Sequence, residues 1–337
     1  MTTTEVSPAA TAPPGPPPRD RAGRPRAIEI FTVVLVAGVL ARGWLNHLTA
    51  SDRVHAWITV FVSIVIQATP FVVLGTLLSA AIAVLVPAGF FARALPSRPV
   101  LAVPVAGAAG AILPGCECGS VPVAGALVRR GVSPAAALAF LLSAPAINPV
   151  VLVATSVAFP GRPAMVLGRL LASLLAATVM GWLWLRLGRT DWLRPPARPD
   201  LHGLGRGAAF LAACRQDTAQ AAGFLVIGAG MAATMNIAMP PAWLHAVSRH
   251  PVLSVAALAV LAVVLSICSE ADAFVAASLT QFSLTARLAF LVVGPMVDLK
   301  LFAMQAGAFG RAFAVRFAPA TFVVAVAAAV VVGSLLW

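Results

Sequence analysis

Long runs of apolar residues, separated by short connections that carry most of the arginines, recur along the chain. The runs cover residues 28–45, 54–87, 99–115, 118–160, 163–187, 207–240, 252–268, 269–309 and 317–337. A helix needs about 20 apolar residues to cross a bilayer core. Only 10% of the 337 residues are charged, whereas soluble domains carry about 25%. We therefore predict an all-α polytopic membrane protein, with room for roughly 8–10 transmembrane segments.

Arginine placement predicts how the chain is oriented in the membrane. Residues 1–26 contain seven prolines and end in four arginines, which is typical of a disordered tail. Because positively charged flanks stay in the cytoplasm, we expect the tail and a second arginine-rich connection, residues 188–201, to be cytoplasmic. The remainder, residues 27–337, is expected to form one transmembrane domain. The net charge of +12 is thus interpreted as a topology signal, not as a nucleic-acid surface.

The chain contains an internal repeat. Residues 71–87 align without gaps on 224–240 at an offset of 153, and residues 118–149 align on 268–299 at an offset of 150. Cys118 aligns with Cys268 and Asn148 with the isosteric Asp298. We predict two repeats, 52–187 and 202–337. The first is expected to start outside and to end at the cytoplasmic connection, and an odd number of crossings in each half would make the repeats inverted. Inverted repeats are typical of secondary transporters, whose substrate site lies at the repeat interface.

Four of the eleven acidic residues lie inside the repeated apolar blocks or directly beside them: Glu117, Glu270, Asp272 and Asp298. The other seven are assigned to the tail, to connections or to segment ends. Lys300, the only lysine, follows Asp298 closely. A charge inside the membrane is costly and is therefore a functional candidate. The alternative interpretation is a structural Asp298–Lys300 pair or a cluster satisfied by backbone groups.

Three of the four cysteines, Cys116, Cys118 and Cys268, fall in the same blocks or directly beside them, next to acidic residues. A thiol-rich site suits soft, thiophilic ions, although a single cysteine is commonly a small buried hydrophobe. Cys214, in an amphipathic stretch, is interpreted in that structural way. The predicted substrate-binding residues are Cys116, Glu117, Cys118, Asn148, Cys268 and Ser269. No cofactor and no resident metal ion are predicted.

Prolines flank the same positions and are expected to break the helices there. The candidates are Pro114, Pro122, Pro145, Pro149 and Pro295. Freed backbone groups at membrane depth must be satisfied by protein or by a cavity. The stretch 118–146 is interpreted as a re-entrant hairpin, with two short tilted spans as the alternative. The sequence contains no glycine-rich phosphate loop, and we do not expect an enzyme.

Four stretches resemble the ArsP/YraQ-type permease family: 113–122, 139–149, 268–274 and 288–300. The resemblance implies a multi-pass inner-membrane permease. Characterised members of that family export trivalent organoarsenicals, and others are associated with efflux of thiophilic metals. The family's cysteines correspond to Cys116, Cys118 and Cys268.

The leading hypothesis is secondary efflux of a trivalent arsenical through a thiolate-lined site. Glu270, Asp272, Asp298 and Lys300 would exchange protons and couple export to the proton gradient. One alternative is efflux of another soft metal ion, with carboxylates joining the thiolates as ligands. An alternative of a different class is a membrane thiol oxidoreductase that cycles a Cys116–Cys118 disulfide. The expected partners are a small thiophilic substrate and the lipid bilayer, without nucleic acid.

Overall fold

The computed structural model describes Val36 and residues 52–87, 90–112, 116–193, 205–238 and 250–337. Within these ranges every regular element is a helix and no β-strand occurs, so the all-α prediction is confirmed. The predicted tail, the first apolar run apart from Val36, Pro114 and residues 194–201 of the predicted connection lie outside the described residues.

The helices follow the predicted apolar runs closely. The first half contains α1 (Asp52–Leu85), α2 (Phe90–Ala94), α3 (Pro99–Ala109), α4 (Glu117–Arg129), α5 (Pro134–Ile147), α6 (Pro149–Ala158) and α7 (Pro163–Leu187), then a 3₁₀ turn at Thr190–Trp192. The second half contains α8 (Arg206–Ala238), α9 (Pro251–Leu265), α10 (Asp272–Ser278), α11 (Leu284–Val293), α12 (Leu299–Phe309) and α13 (Arg311–Leu336).

Five helical stretches within the described ranges are long and apolar enough to cross a membrane: α1, α5 together with α6, α7, α8 and α13. Helices α3, α9 and α11 are apolar but shorter. Length and composition therefore support a polytopic membrane protein.

Both halves break a helix at aligned positions. Asn148 separates α5 from α6 and caps α6, because its side chain accepts a hydrogen bond of 3.0 Å from Val151 N. Asp298 caps α12 in the same way through Leu301 N, at 2.5 Å. Pro149 is the first residue of α6, where a missing N–H costs nothing. The local structure of the two halves thus agrees with the alignment, while their inverted orientation stays a prediction.

The prolines do not all lie where helices end. Pro295 lies in the turn between α11 and α12. However, Pro122 lies inside α4 and Pro145 inside α5, which corrects the expected breaks at these two residues. Each proline removes one backbone donor, and both helices tolerate that loss in a fully buried stretch.

The short helices of one half pack against those of the other half. Helix α4 contacts α12, and α6 contacts α10, while the two long helices α1 and α8 lie along each other. Helix α1 also lies along α4, where a Cβ on Gly75 would be 2.5 Å from Gly119 Cα. Only glycine allows backbones to approach this closely, a common device between membrane helices.

Candidate functional site

Three cysteines from the two halves meet in the interior. Cys116 precedes α4, Cys118 lies in its first turn, and Cys268 lies in the connection between α9 and α10. All three are buried free thiols. The sulfurs of Cys116 and Cys268 and a carboxylate oxygen of Glu117 lie within 4.8 Å of one another. Cys118 follows two residues after Cys116 and lies in the same core cluster.

A buried lysine compensates the carboxylates beside these thiols. Lys300 Nζ lies 2.5 Å from Glu117 Oε1 and 3.4 Å from Asp298 Oδ2. Lys300 is 2% exposed, Asp298 1% and Glu117 0%. A buried charge is tolerated only when partners of opposite charge and hydrogen bonds surround it. The three side chains therefore form one charge cluster, in which Glu117 joins the lysine to the thiols.

The connection that carries Cys268 is anchored to the start of α12 by Ser266. Ser266 has a left-handed backbone (φ 49°), which is uncommon for a residue other than glycine. Its carbonyl accepts a hydrogen bond of 2.9 Å from Lys300 Nζ, and its hydroxyl accepts one of 3.2 Å from Leu299 N. This geometry holds the connection against the charge cluster.

A second buried ion pair lies next to the thiol site. Arg169 donates to both carboxylate oxygens of Asp272, at 2.8 and 2.9 Å. It also donates to Thr155 Oγ1 at 3.0 Å and to the Ser269 carbonyl at 3.2 Å. Asp272 is thus paired with an arginine of α7 and does not belong to the Lys300 cluster.

Arg169 was missed from the sequence, in which the arginines were assigned to connections. That assignment is wrong for Arg169, since it lies within α7 and is 0% exposed. The signal was available, because Arg169, unlike Arg186 near the end of the run, interrupts the apolar run 163–187, and any charge at membrane depth requires a partner.

Asp217 was missed for a similar reason. It is one of the seven acidic residues assigned together to the tail, to connections or to segment ends, but it lies buried within α8. Its carboxylate accepts a hydrogen bond of 2.5 Å from Ser79 Oγ and lies 3.9 Å from Arg129 Nη2. This cluster joins α8 to α1 and α4.

The remaining predicted site residues lie in different surroundings. Ser269 Oγ donates to Glu117 Oε2 at 3.5 Å, at the edge of the thiol site. The Asn148 amide donates to Ala144 O at 3.2 Å, so its side chain bonds locally at the break between α5 and α6. Glu270 is half-buried, and no ion pair joins it to any of the described residues.

A cavity of about 590 Å³ reaches Cys116 from the side of α1. Its lining is mostly apolar and includes Phe71, Leu78, Phe140 and Phe210. Leu74, also in the lining, is 49% exposed, so the cavity opens towards the outside of the helix bundle. An apolar group in this cavity can therefore lie next to Cys116.

These features define a multi-pass helical membrane protein with a buried site of thiols and compensated charges. Residues 53–334 match the model of the ArsP_1 family, which is described as "Predicted permease". The chain belongs to this permease family.

Two relatives match over nearly their whole lengths. "UPF0718 protein YcgR" of Bacillus subtilis (strain 168) is 36% identical over 285 residues, covering 82% of this chain and 95% of the relative. A Streptococcus mutans protein named "Putative two-component membrane permease complex subunit" is 32% identical over 296 residues, covering 86% of this chain and 98% of the relative. No solved structure matches the chain.

Proposed function

We propose that this permease is a secondary exporter of trivalent organoarsenicals in the cell inner membrane, with a cytoplasmic N-terminus. One observation carries the proposal: the Cys116 and Cys268 sulfurs lie within 4.8 Å of each other and of a Glu117 oxygen in the buried interior. Two thiols at this separation can bind one thiophilic atom between them. The adjoining apolar cavity has room for an organic substituent on that atom.

Binding of such a substrate leaves the charge of the site unchanged. In methylarsenite, CH₃As(OH)₂, two As–O bonds break and two As–S bonds form with Cys116 and Cys268. The two thiol protons leave with the two hydroxyl groups as water. Because no net charge enters, the Lys300–Glu117 pair keeps its balance. Cys118, two residues after Cys116 in the same buried cluster, can exchange with one of the two sulfurs and so help release.

We assign proton coupling to the groups around Lys300 and to Glu270. Glu117 and Asp298 share one lysine, so a proton on either carboxylate changes the attraction that holds α4 to α12. Asp272 is assigned a structural role instead, because its bidentate arginine partner keeps a permanent charge.

A soft divalent cation is the second candidate substrate. Glu117 favours it, since two sulfurs and one carboxylate oxygen form a cluster suited to a cation. The two substrates differ in their proton balance: a cation displaces the thiol protons into solution, whereas methylarsenite releases water.

The test is uptake into inside-out vesicles. Wild-type protein is expected to accumulate methylarsenite, and Cys116→Ser and Cys268→Ser are each expected to abolish accumulation. Cys214→Ser is the matched control, since Cys214 lies in α8 beside Thr218. Equal accumulation by the wild type and both site variants would refute thiol-mediated export. Proton release from purified protein on adding Zn²⁺, but not methylarsenite, would favour the cation.

A further inference from the structure

The aligned faces of α6 and α12 differ in exposure. On α12, Lys300 is 2% and Ala303 5% exposed, and Gly307 is buried. Extending the offset of 150 beyond the aligned block pairs these residues with Val150, Val153 and Val157 of α6, which are 51%, 61% and 63% exposed. The same face of the same repeated element is therefore covered in the second half and bare in the first.

The long helices α1 and α8 cause this difference. Helix α8 lies along α12, and α1 lies along α4. Among the described helices, α1 has no comparable contact with α6, nor α8 with α10. Phe274 of α10 is accordingly 52% exposed, whereas the aligned Ala124 of α4 is 0% exposed. The α1/α8 pair thus covers the α4/α12 surface and leaves the equivalent α6/α10 surface uncovered.

A pair of glutamines marks the same asymmetry. Gln220 of α8 donates a hydrogen bond of 2.7 Å to the Gly307 carbonyl of α12. The offset of 153 that aligns α1 with α8 pairs Gln220 with Gln67. Gln67 is exposed on α1 and has no hydrogen bond with a described residue. The residue aligned with Gly307 is Val157, on the bare face of α6.

We propose that the α1/α8 pair moves between the two equivalent surfaces, and that the structure shows one of two states. In the other state the pair lies on α6/α10, Gln67 donates to the Val157 carbonyl, and Gly228 approaches Ser269, the residue aligned with Gly119. This inference rests on the proposed transport function and on the inverted repeats, since only inverted halves convert such an exchange into opening towards opposite sides of the membrane.

The movement acts directly on the thiol site. In the present state α8 lies on Lys300, where a Cβ on Gly228 would overlap Lys300 Cα, and α1 lies on Gly119, next to Cys118. Departure of the pair uncovers both the charge cluster and the start of α4. Access to the thiol site therefore depends on the position of the α1/α8 pair.

Disulfide crosslinking in native membranes tests the proposal. The double variant Gln67→Cys/Val157→Cys, in a Cys214→Ser background, is expected to form a disulfide between positions 67 and 157 on mild oxidation, identified by peptide mass spectrometry. Gln220→Cys/Ala308→Cys reports the present state, because Gln220 and Ala308 line one small pocket. Gln67→Cys/Val323→Cys is the negative control, since Val323 is 65% exposed on α13.

Crosslinking of Gln67→Cys/Val157→Cys above the Val323 control supports the movement. Crosslinking no higher than this control, while the Gln220→Cys/Ala308→Cys pair reacts, would overturn it and leave the α6 face to lipid or to another segment. The readout is the position of α1 and does not require transport. Failure of arsenical uptake is thus separable from failure of this inference.

Glutamine substitutions give a second, opposite pair of expectations. Gln220→Leu removes a bond of the present state, so it should raise the rate of crosslinking between positions 67 and 157. The rate should increase about threefold, which is the factor that corresponds to the free energy of one hydrogen bond between membrane helices. Gln67→Leu, placed in an Ala68→Cys/Val157→Cys reporter, should lower crosslinking to a similar extent. If neither Gln220→Leu nor Gln67→Leu changed the crosslinking rate of its own reporter pair, the assigned roles of the two glutamines would be contradicted.

Discussion

Arg169 and Asp272 form a bidentate ion pair, with N–O distances of 2.8 and 2.9 Å, that joins α7 of the first half to α10 of the second. Neither side chain is more than 3% exposed. Because an uncompensated charge in the interior is costly, the pair fixes α10 relative to α7. The Ser269 carbonyl, which accepts from the same arginine, places the neighbouring Cys268 as well.

Removing one member of this pair should destabilise the fold strongly. Asp272→Asn is expected to lower stability by about 3–5 kcal/mol, because Arg169 keeps its charge in a buried site. The double variant Arg169→Met/Asp272→Leu should recover much of the loss. Thermal unfolding of the purified protein in detergent measures both. Glu270→Gln is the matched control. A loss of stability in Glu270→Gln as large as that in Asp272→Asn would contradict the stabilising role assigned to the Arg169–Asp272 pair.

The close approach of α8 to α12 makes a prediction for two glycines of one helix. Gly228→Ala should weaken packing by about 1–3 kcal/mol, because the new methyl group overlaps the Lys300 backbone. Gly223→Ala meets no atom within 4 Å, and should be neutral or stabilising, since alanine favours helix. Unfolding temperatures of the two variants provide the comparison. If Gly228→Ala changed the unfolding temperature no more than Gly223→Ala, then α8 and α12 could move apart without a cost in stability.

Apolar length located the helices, and the three cysteines singled out in the sequence, Cys116, Cys118 and Cys268, lie in one buried region of the structure. Of the buried ion pairs, only Asp298–Lys300 was among the alternatives that the sequence offered. Arg169 was missed because arginine was interpreted only as a topology signal. Which acid pairs with which base depends on how α7 and α12 pack, and this packing is set by contacts between residues distant along the chain.

Lys300 is expected to be required for a stable fold, because its ammonium group compensates the buried carboxylates of Glu117 and Asp298. Lys300→Met removes the partner of Glu117 and Asp298 and should destabilise the protein by about 3 kcal/mol or more. Adding Glu117→Gln to Lys300→Met should restore part of the loss, because one uncompensated charge disappears. Yield of monodisperse protein on size exclusion and its unfolding temperature are the readouts. A double variant less stable than Lys300→Met would argue against the pairing.

Asp298 combines a structural role with a proposed role in proton coupling, and two substitutions separate them. Asparagine can accept the same hydrogen bond from Leu301 N, as the aligned Asn148 does from Val151 N. Both variants lose one carboxylate partner of Lys300, so the difference between them isolates the cap. Asp298→Asn should keep the start of α12, and Asp298→Ala should be less stable than Asp298→Asn by about 1 kcal/mol. Unfolding temperatures of the two variants check this structural half.

The transport half of the prediction uses the same Asp298→Asn variant in inside-out vesicles. If Asp298 exchanges the coupling proton, the folded variant should bind methylarsenite normally but no longer respond to an imposed pH gradient. Glu270→Gln, assayed in parallel, tests whether the half-buried acid shares that role. A gradient response of wild-type size in both variants would remove these acids from coupling and leave Asp298 as a helix cap that compensates Lys300.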